Sequence, residues 1–195
     1  MHELEFRRQI LHTIYGFVLV ILHFYGFLPL PLLFLIILGG ALTSWLVLKK
    51  KASFVERLLR IFEREHHLLN FPGRGMLFFT IGSFLVLWIF EKTPETAYAG
   101  ILILSVGDSL TNVVGRQWGR IKTRLNPHKY LEGTLVGILG CLPIAYYFSH
   151  NIFAALATAC VAMFLEIPNI RIFGFEIDDN LIIPLGASIT LSFFT

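Results

Sequence analysis

From Gln9 to Leu48 the chain runs forty residues without an Asp, Glu, Lys or Arg. One bilayer crossing takes about 20 residues, so a run of this length has to turn back within itself. Gly26, Pro29 and Pro31 supply the turn, and the pattern predicts two consecutive membrane-spanning helices.

The rest of the chain repeats the pattern. Lys49 to Arg74 is polar and basic. Within it Phe54, Val55, Leu58, Leu59, Ile61 and Phe62 recur near helical spacing, with Arg57, Arg60 and Arg64 between them, which predicts an amphipathic helix on the membrane surface. Pro72-Gly73-Arg74-Gly75 opens a third span that ends at Phe90. A fourth runs from Pro94 to Gly115 and a fifth from Gly133 to about Tyr147. A sixth follows the turn at Ser149-His150-Asn151 and ends near Glu166-Ile167-Pro168. After a polar loop from Arg171 to Asp179, Leu181 to Thr195 forms a seventh. Apolar residues make up 55% of the chain and charged ones 15%, where a soluble domain carries about 25% charge. The expectation is an all-α, polytopic integral membrane protein of about seven transmembrane helices, with residues 1–195 forming one membrane-embedded catalytic domain. No removable signal peptide is expected, since the first apolar run has no small-residue cleavage site. Cys141 and Cys160 both lie in apolar segments, set up neither a disulfide framework nor zinc spacing, and read as buried small hydrophobes.

Seven crossings put the termini on opposite sides. With a cytoplasmic N-terminus, 15 of the 16 Lys and Arg residues fall on the cytoplasmic side and only Lys92 falls outside, as the positive-inside rule requires. The amphipathic helix between spans two and three is then cytoplasmic, and so are all the polar motifs below. No nucleic-acid partner is expected.

Charge inside a span marks a functional site by default. Asp108 lies eight residues before Arg116, roughly 12 Å inside the helix end at 1.5 Å per residue, and Asn112 shares its face one turn on. The pair reads either as oxygen ligands for a divalent cation or as a polar packing contact. Arg116 to Lys129 holds Arg116, Arg120, Lys122, Arg124, His128 and Lys129 without an acid. That suits phosphate binding and equally suits a membrane anchor. Lys129-Tyr130-Leu131-Glu132-Gly133 places a base and an acid across the membrane boundary. Glu176, Asp178, Asp179 and Asn180 gather before the last span, as a second metal or general-base site or as a solvated loop with a helix cap. Arg8, His12 and Gly16 share one face of the first span, and Arg74 between two glycines is placed for a phosphate. Glu166 reads as a boundary residue or a lesser site acid. His23, His66, His67 and His150 show no ligand spacing. Soluble-kinase signatures such as GxxxxGK[ST] are absent from the sequence.

Taken in order, Gly107-Asp108 with Gly115 and Gly119, Lys129-x-x-Glu132-Gly133-Thr134 and Asp179-Asn180-Leu181-x-x-Pro184-Leu185 resemble the CTP-dependent lipid kinases: dolichol (polyprenol) kinase, phytol kinase and CTP-dependent diacylglycerol kinase. That family is similar to the phosphatidate cytidylyltransferases, which share the Asp, loop, Lys-x-x-Glu-Gly layout. Tyr130 stands where the family usually has a small hydroxyl residue. The resemblance implies phosphoryl transfer from CTP to a long-chain lipid alcohol such as a polyprenol, dolichol or phytol, with release of CDP. It implies Asp108, Lys129, Glu132 and Asp179 as catalytic residues and Mg²⁺ on Asp108, Glu132 and Asp179. Arg74, Asn112, Arg116, Lys129 and Gly133 would hold nucleotide, with Arg8, His12, Asp178 and Asn180 around them. The site would face the cytoplasm from a prokaryotic plasma membrane or an endoplasmic reticulum. Two other readings stay open at this point: a cytidylyltransferase making a CDP-lipid, and a small ion-coupled transporter with Asp108 and Glu166 as a relay.

Overall fold

Gly26 takes φ +75°, a left-handed conformation that glycine adopts without strain, and Pro29 caps the next helix, so the long apolar run folds back where the sequence breaks it. The computed structural model describes residues 2–63, 65–168, 170–172 and 175–194. Arg64 and the side chains of His66, His67, Arg171 and Glu176 lie outside the described residues. Helix α1 (His2–Phe24) and α2 (Leu30–Leu48) form the N-terminal hairpin. The amphipathic segment is α3 (Ser53–Phe62), followed by a short α4 (Glu65–Asn70) that the periodicity did not predict. The remaining helices are α5 (Arg74–Ile89), α6 (Pro94–Trp118), α7 (Leu131–Ser149), α8 (Ile152–Leu165) and α9 (Asp179–Ser192). Between α8 and α9 a minimal antiparallel pair joins β1 (Arg171–Ile172) to β2 (Phe175–Glu176).

Helix α6 is the axis. It packs against α7, α1, α9, α5 and α8, and 72% of its most apolar window is buried, against 17% for α2. The outer faces stay apolar: Leu35, Leu38, Leu42 and Trp45 of α2 are exposed. A helix apolar all round with one face uncovered belongs in lipid. The chain is a membrane protein. Among the described residues, α2, α6 and α7 are long and apolar enough to cross a bilayer. The other four expected spans do not meet that standard. Helix α1 carries Glu3, Glu5, Arg7 and Arg8 in its first turns, and α5, α8 and α9 have 16, 14 and 14 residues, about 21–24 Å of helix.

Two close approaches fix the geometry that the site needs. A side chain at Gly133 would lie 2.5 Å from the Thr111 carbonyl, so glycine lets α7 start against the middle of α6. A side chain at Gly82 would lie 2.2 Å from the Asn180 carbonyl, so glycine lets α5 hold the first turn of α9. Between α6 and α7 the basic loop folds back on itself. Lys122 bridges to Tyr130, and the Thr123 hydroxyl and the Asn126 backbone exchange hydrogen bonds inside the turn.

Candidate active site

One cavity of about 750 Å³ opens where the ends of α1, α3, α5, α6 and α9 meet the basic loop. Asp108, 6% exposed, forms part of its lining from α6. Asn112, one turn on, donates to Asp108 Oδ1 at 2.6 Å and to the Asp108 carbonyl at 2.9 Å, which holds the carboxylate in one rotamer. Lys129 enters from the loop. Its Nζ is paired with Glu166 and stands 4.0 Å from both Asp108 Oδ1 and Asp179 Oδ2. Burial opposes the lysine charge, but Glu166, Asp108 and Asp179 more than offset it and hold Lys129 above the ordinary lysine range. It is a fixed cation.

Asp178 caps α9 by accepting from the Asn180 amide, and its Oδ2 accepts from Arg74 Nε at 3.1 Å. Asn180 donates its own amide group back to Asp178 at 2.6 Å. Burial and the neighbouring Asp179 push the Asp178 carboxyl up to about 6. Arg74 follows Gly73, which sits at φ +77°, and its guanidinium also lies over the Phe78 ring at 5.5 Å. On the opposite wall, Glu5 pairs with Arg8 and stands 3.7 Å from Arg116 Nη1, so two arginines from different helices are held by one buried carboxylate. His12 Nε2 stands 3.8 Å from Asp108 Oδ2.

The structure thus brings together Arg8, His12, Arg74, Asp108, Asn112, Arg116, Lys129, Asp178, Asp179 and Asn180 around one space. It does not bring Glu132 or Gly133 to that lining. The Glu132 carboxylate turns back to accept the amides of Arg120 and Ile121 at 3.0 and 3.1 Å. Of the expected Asp108, Glu132, Asp179 metal set, the cavity lining holds Asp108 and Asp179, while Glu132 ties down the basic loop. Gly133 serves the contact between α6 and α7 described above. Arg120 and Arg124 of the loop stay outside the lining, whereas Lys122 and His128 are in it.

Among the described residues no three His, Cys, Asp or Glu side chains are grouped to hold a metal ion. Mg²⁺ is usually held by one or two carboxylates together with substrate phosphates rather than by an all-protein cage. Asp108 and Asp179, both beside Lys129, fit that smaller requirement.

Comparison with known proteins places the chain. No family model matches it and no solved structure does. Over 184 residues it is 31% identical to an uncharacterized protein of Methanocaldococcus jannaschii, covering 92% of this chain and 88% of that one. Over 211 residues it is 26% identical to CTP-dependent diacylglycerol kinase 1 of Schizosaccharomyces pombe, covering 96% and 92%. A phytol kinase of Synechocystis is 28% identical over 123 residues, 59% of this chain and 52% of that protein. The chain is similar to lipid kinases, among them a CTP-dependent diacylglycerol kinase along almost its whole length.

The structure adds three acids that the sequence pattern undervalues. Glu166 reads as a boundary residue or a lesser site acid, yet it is buried at 2% exposure and is the direct partner of Lys129. The available signal is an acid closing an otherwise apolar segment just before Pro168. Glu5 is legible only as a residue three before Arg8. Glu63 lines the cavity and accepts the Gly73 amide at 2.7 Å, a contact that no local spacing announces.

Proposed function

We propose that the chain transfers the γ-phosphoryl group of CTP to the hydroxyl of a long-chain membrane alcohol of the polyprenol, dolichol or phytol kind. The oxygen of the alcohol bonds to the γ-phosphorus, the bond from phosphorus to the bridging oxygen breaks, and CDP leaves. A carboxylate takes the hydroxyl proton. The observation that supports this reading best is Lys129 held by Glu166 between Asp108 and Asp179, inside a cavity edged by arginines. Phosphoryl transfer needs little covalent help from the protein; it needs fixed positive charge around the phosphates, a metal-binding carboxylate and an aligned hydroxyl.

Arg74, Arg116, Lys122 and Arg8 are the cations for the phosphate chain, and Arg forks suit its oxygens. Lys129 is the cation nearest the metal carboxylates. Asp108 and Asp179 would hold Mg²⁺, which supplies charge neutralisation on the phosphate oxygens when bound. Asp178, poised near neutrality and next to Asp179, is placed to accept the proton. Seven crossings with a cytoplasmic N-terminus would set this cavity, and α3 with it, at the cytoplasmic surface, where CTP is supplied. The crowding of Lys and Arg into the loops on that side supports the orientation.

The test uses purified protein in detergent with Mg²⁺ and a panel of lipid alcohols and phosphatidic acid, with CTP labelled in parallel on the γ- and on the α-phosphate. Label from the γ-phosphate in the alcohol establishes the kinase and names its acceptor. Label from the α-phosphate in a CDP-lipid overturns it in favour of a cytidylyltransferase. Absence of both, with an Asp108→Ala variant indistinguishable from the native chain, sends the question to transport assays in sealed vesicles.

A further inference from the structure

The cavity has one wall for which a nucleotide phosphate has no use. Leu11 of α1, Leu59 and Phe62 of α3 and Met76 of α5 line the same space as Asp108 and Lys129. Helix α3 buries none of its residues. Its apolar side chains form two adjacent stripes, Val55, Leu59 and Phe62 on one and Phe54, Leu58 and Ile61 on the other. The second stripe is exposed. Apolar surface therefore continues from the cavity over α3 to the outside without a polar break, and the exposed apolar faces of α1 and α2 adjoin it.

A second, independent observation lies in the same cavity. His12 is 9% exposed, and among the described residues its Nε2 has no hydrogen-bond partner. Its ring is held edge-on to Phe79 at 4.7 Å, and the Asp108 carboxylate at 3.8 Å is beyond hydrogen-bonding distance. Buried polar nitrogens in folded proteins are nearly always satisfied, so this one is aimed at something that the cavity receives.

We propose that the wall and His12 together form the acceptor subsite: the hydroxyl of a long-chain aliphatic alcohol hydrogen-bonds His12 Nε2 beside Asp108, and its hydrocarbon chain runs past Leu11 and Met76 and out beneath Leu59 and Phe62 of α3 to the bilayer. The subsite deepens the phosphotransfer reading and rests on it. It places the reacting oxygen next to the carboxylates and Lys129 while keeping the chain out of the charged half of the cavity. Helix α3 is then the roof of the acceptor channel. Glu63 at its end fastens that roof to the start of α5 through the Gly73 amide.

The test separates binding from turnover. The full-length protein in nanodiscs, without nucleotide, is illuminated with a long-chain alcohol carrying a mid-chain diazirine, and adducts are mapped by mass spectrometry. A diazirine alkane of equal length without the hydroxyl is the control. Expected are adducts on Leu11, Leu59, Phe62 and Met76 with the alcohol but not the alkane, displaced by unlabelled alcohol. His12→Ala and the closer match His12→Gln should reduce them about tenfold, as the loss of one hydrogen bond predicts, with thermal midpoints showing that both variants fold. In turnover, Phe62→Trp should raise KM for the alcohol about tenfold and leave KM for CTP unchanged. Equal labelling by alcohol and alkane, adducts confined to the outer faces of α2 and α9, or insensitivity to both His12 variants overturns the subsite. Specific labelling without phosphate transfer from CTP would instead leave the subsite standing and sink the kinase. Transfer with adducts mapped elsewhere would do the reverse.

Discussion

Lys129 shows how a single cation holds this site together. Three carboxylates face it, and among the described residues Glu166 Oε2 is buried without a hydrogen bond. Removing one member of a buried pair leaves the other charge uncompensated, at a cost of about 3–5 kcal/mol, whereas removing both is often close to neutral. Glu166→Gln should therefore lower the unfolding midpoint and abolish most activity. Lys129→Gln combined with Glu166→Gln should recover part of the midpoint, since Asp108 and Asp179 still lose their cation, and none of the activity. A double variant no more stable than Glu166→Gln alone would show that the pair does not carry the coupling. Glu132 makes the contrasting case. Its carboxylate accepts two loop amides at the edge of the site, and glutamine keeps an oxygen for one of them. Glu132→Gln is expected to keep activity within about tenfold, while Asp108→Asn loses it entirely. Initial rates at saturating Mg²⁺ decide this, and an equal loss in both variants would place Glu132 in the catalytic set.

Two elements deliver what residues alone cannot. Helix α9 brings Asp178, Asp179 and Asn180 to the cavity only because Gly82 of α5 lets the Asn180 carbonyl approach. Gly82→Ala forces those backbones apart, and about 1–3 kcal/mol of overpacking cost should appear as a lower midpoint together with a larger loss in kcat than in KM for CTP. Unchanged kinetics in a folded Gly82→Ala protein would mean that the α9 register is not what sets the acids. Helix α3 is fastened by Glu63. Burial raises its carboxyl above the ordinary glutamate range, against the Gly73 and Arg74 amides and Arg8, which favour the charged form. A raised carboxyl stabilises the fold fully below the ordinary value of about 4.3 and loses that contribution as pH climbs through the raised one. Amide protection of residues 53–62, corrected for intrinsic exchange, should therefore fall as pH rises out of the acid range. Glu63→Gln should flatten that dependence, and an identical profile in the variant would rule Glu63 out. Most of these elements were legible from period and punctuation. The forty-residue uncharged run, Gly26 with Pro29, and the amphipathic stripe in α3 follow from local chemistry. The link from Glu63 to Gly73, the partner of Lys129 and the hold of Glu132 on the loop amides depend on how distant segments meet, and no spacing along the chain encodes that.

At the scale of the whole molecule, hydrophobic length and charge distribution pull apart. Among the described residues three helices have the length and composition to cross a bilayer, and α5, α8 and α9 reach only about 21–24 Å against a hydrocarbon core of about 30 Å. Short spans are accommodated where they pack against longer neighbours and where the bilayer thins locally, at modest cost per ångström. All three pack on one another or on α6, so as spans they would carry the mismatch on helices partly shielded from lipid. Charge would decide orientation. In the proposed seven-crossing arrangement, 15 of the 16 Lys and Arg residues would lie on one side and Lys92 alone on the other. The prediction concerns single cysteines placed at Lys92, Ser53 and Lys122 in a chain lacking Cys141 and Cys160, probed with an impermeant maleimide. In sealed vesicles of native orientation the Lys92→Cys protein should label at once, while Ser53→Cys and Lys122→Cys label only after the membrane is opened. Were Lys122→Cys to label from outside, the cavity with Asp108 and Lys129 would face away from the cytoplasm. CTP would then have no access to it, and the orientation and the nucleotide reading would fall together.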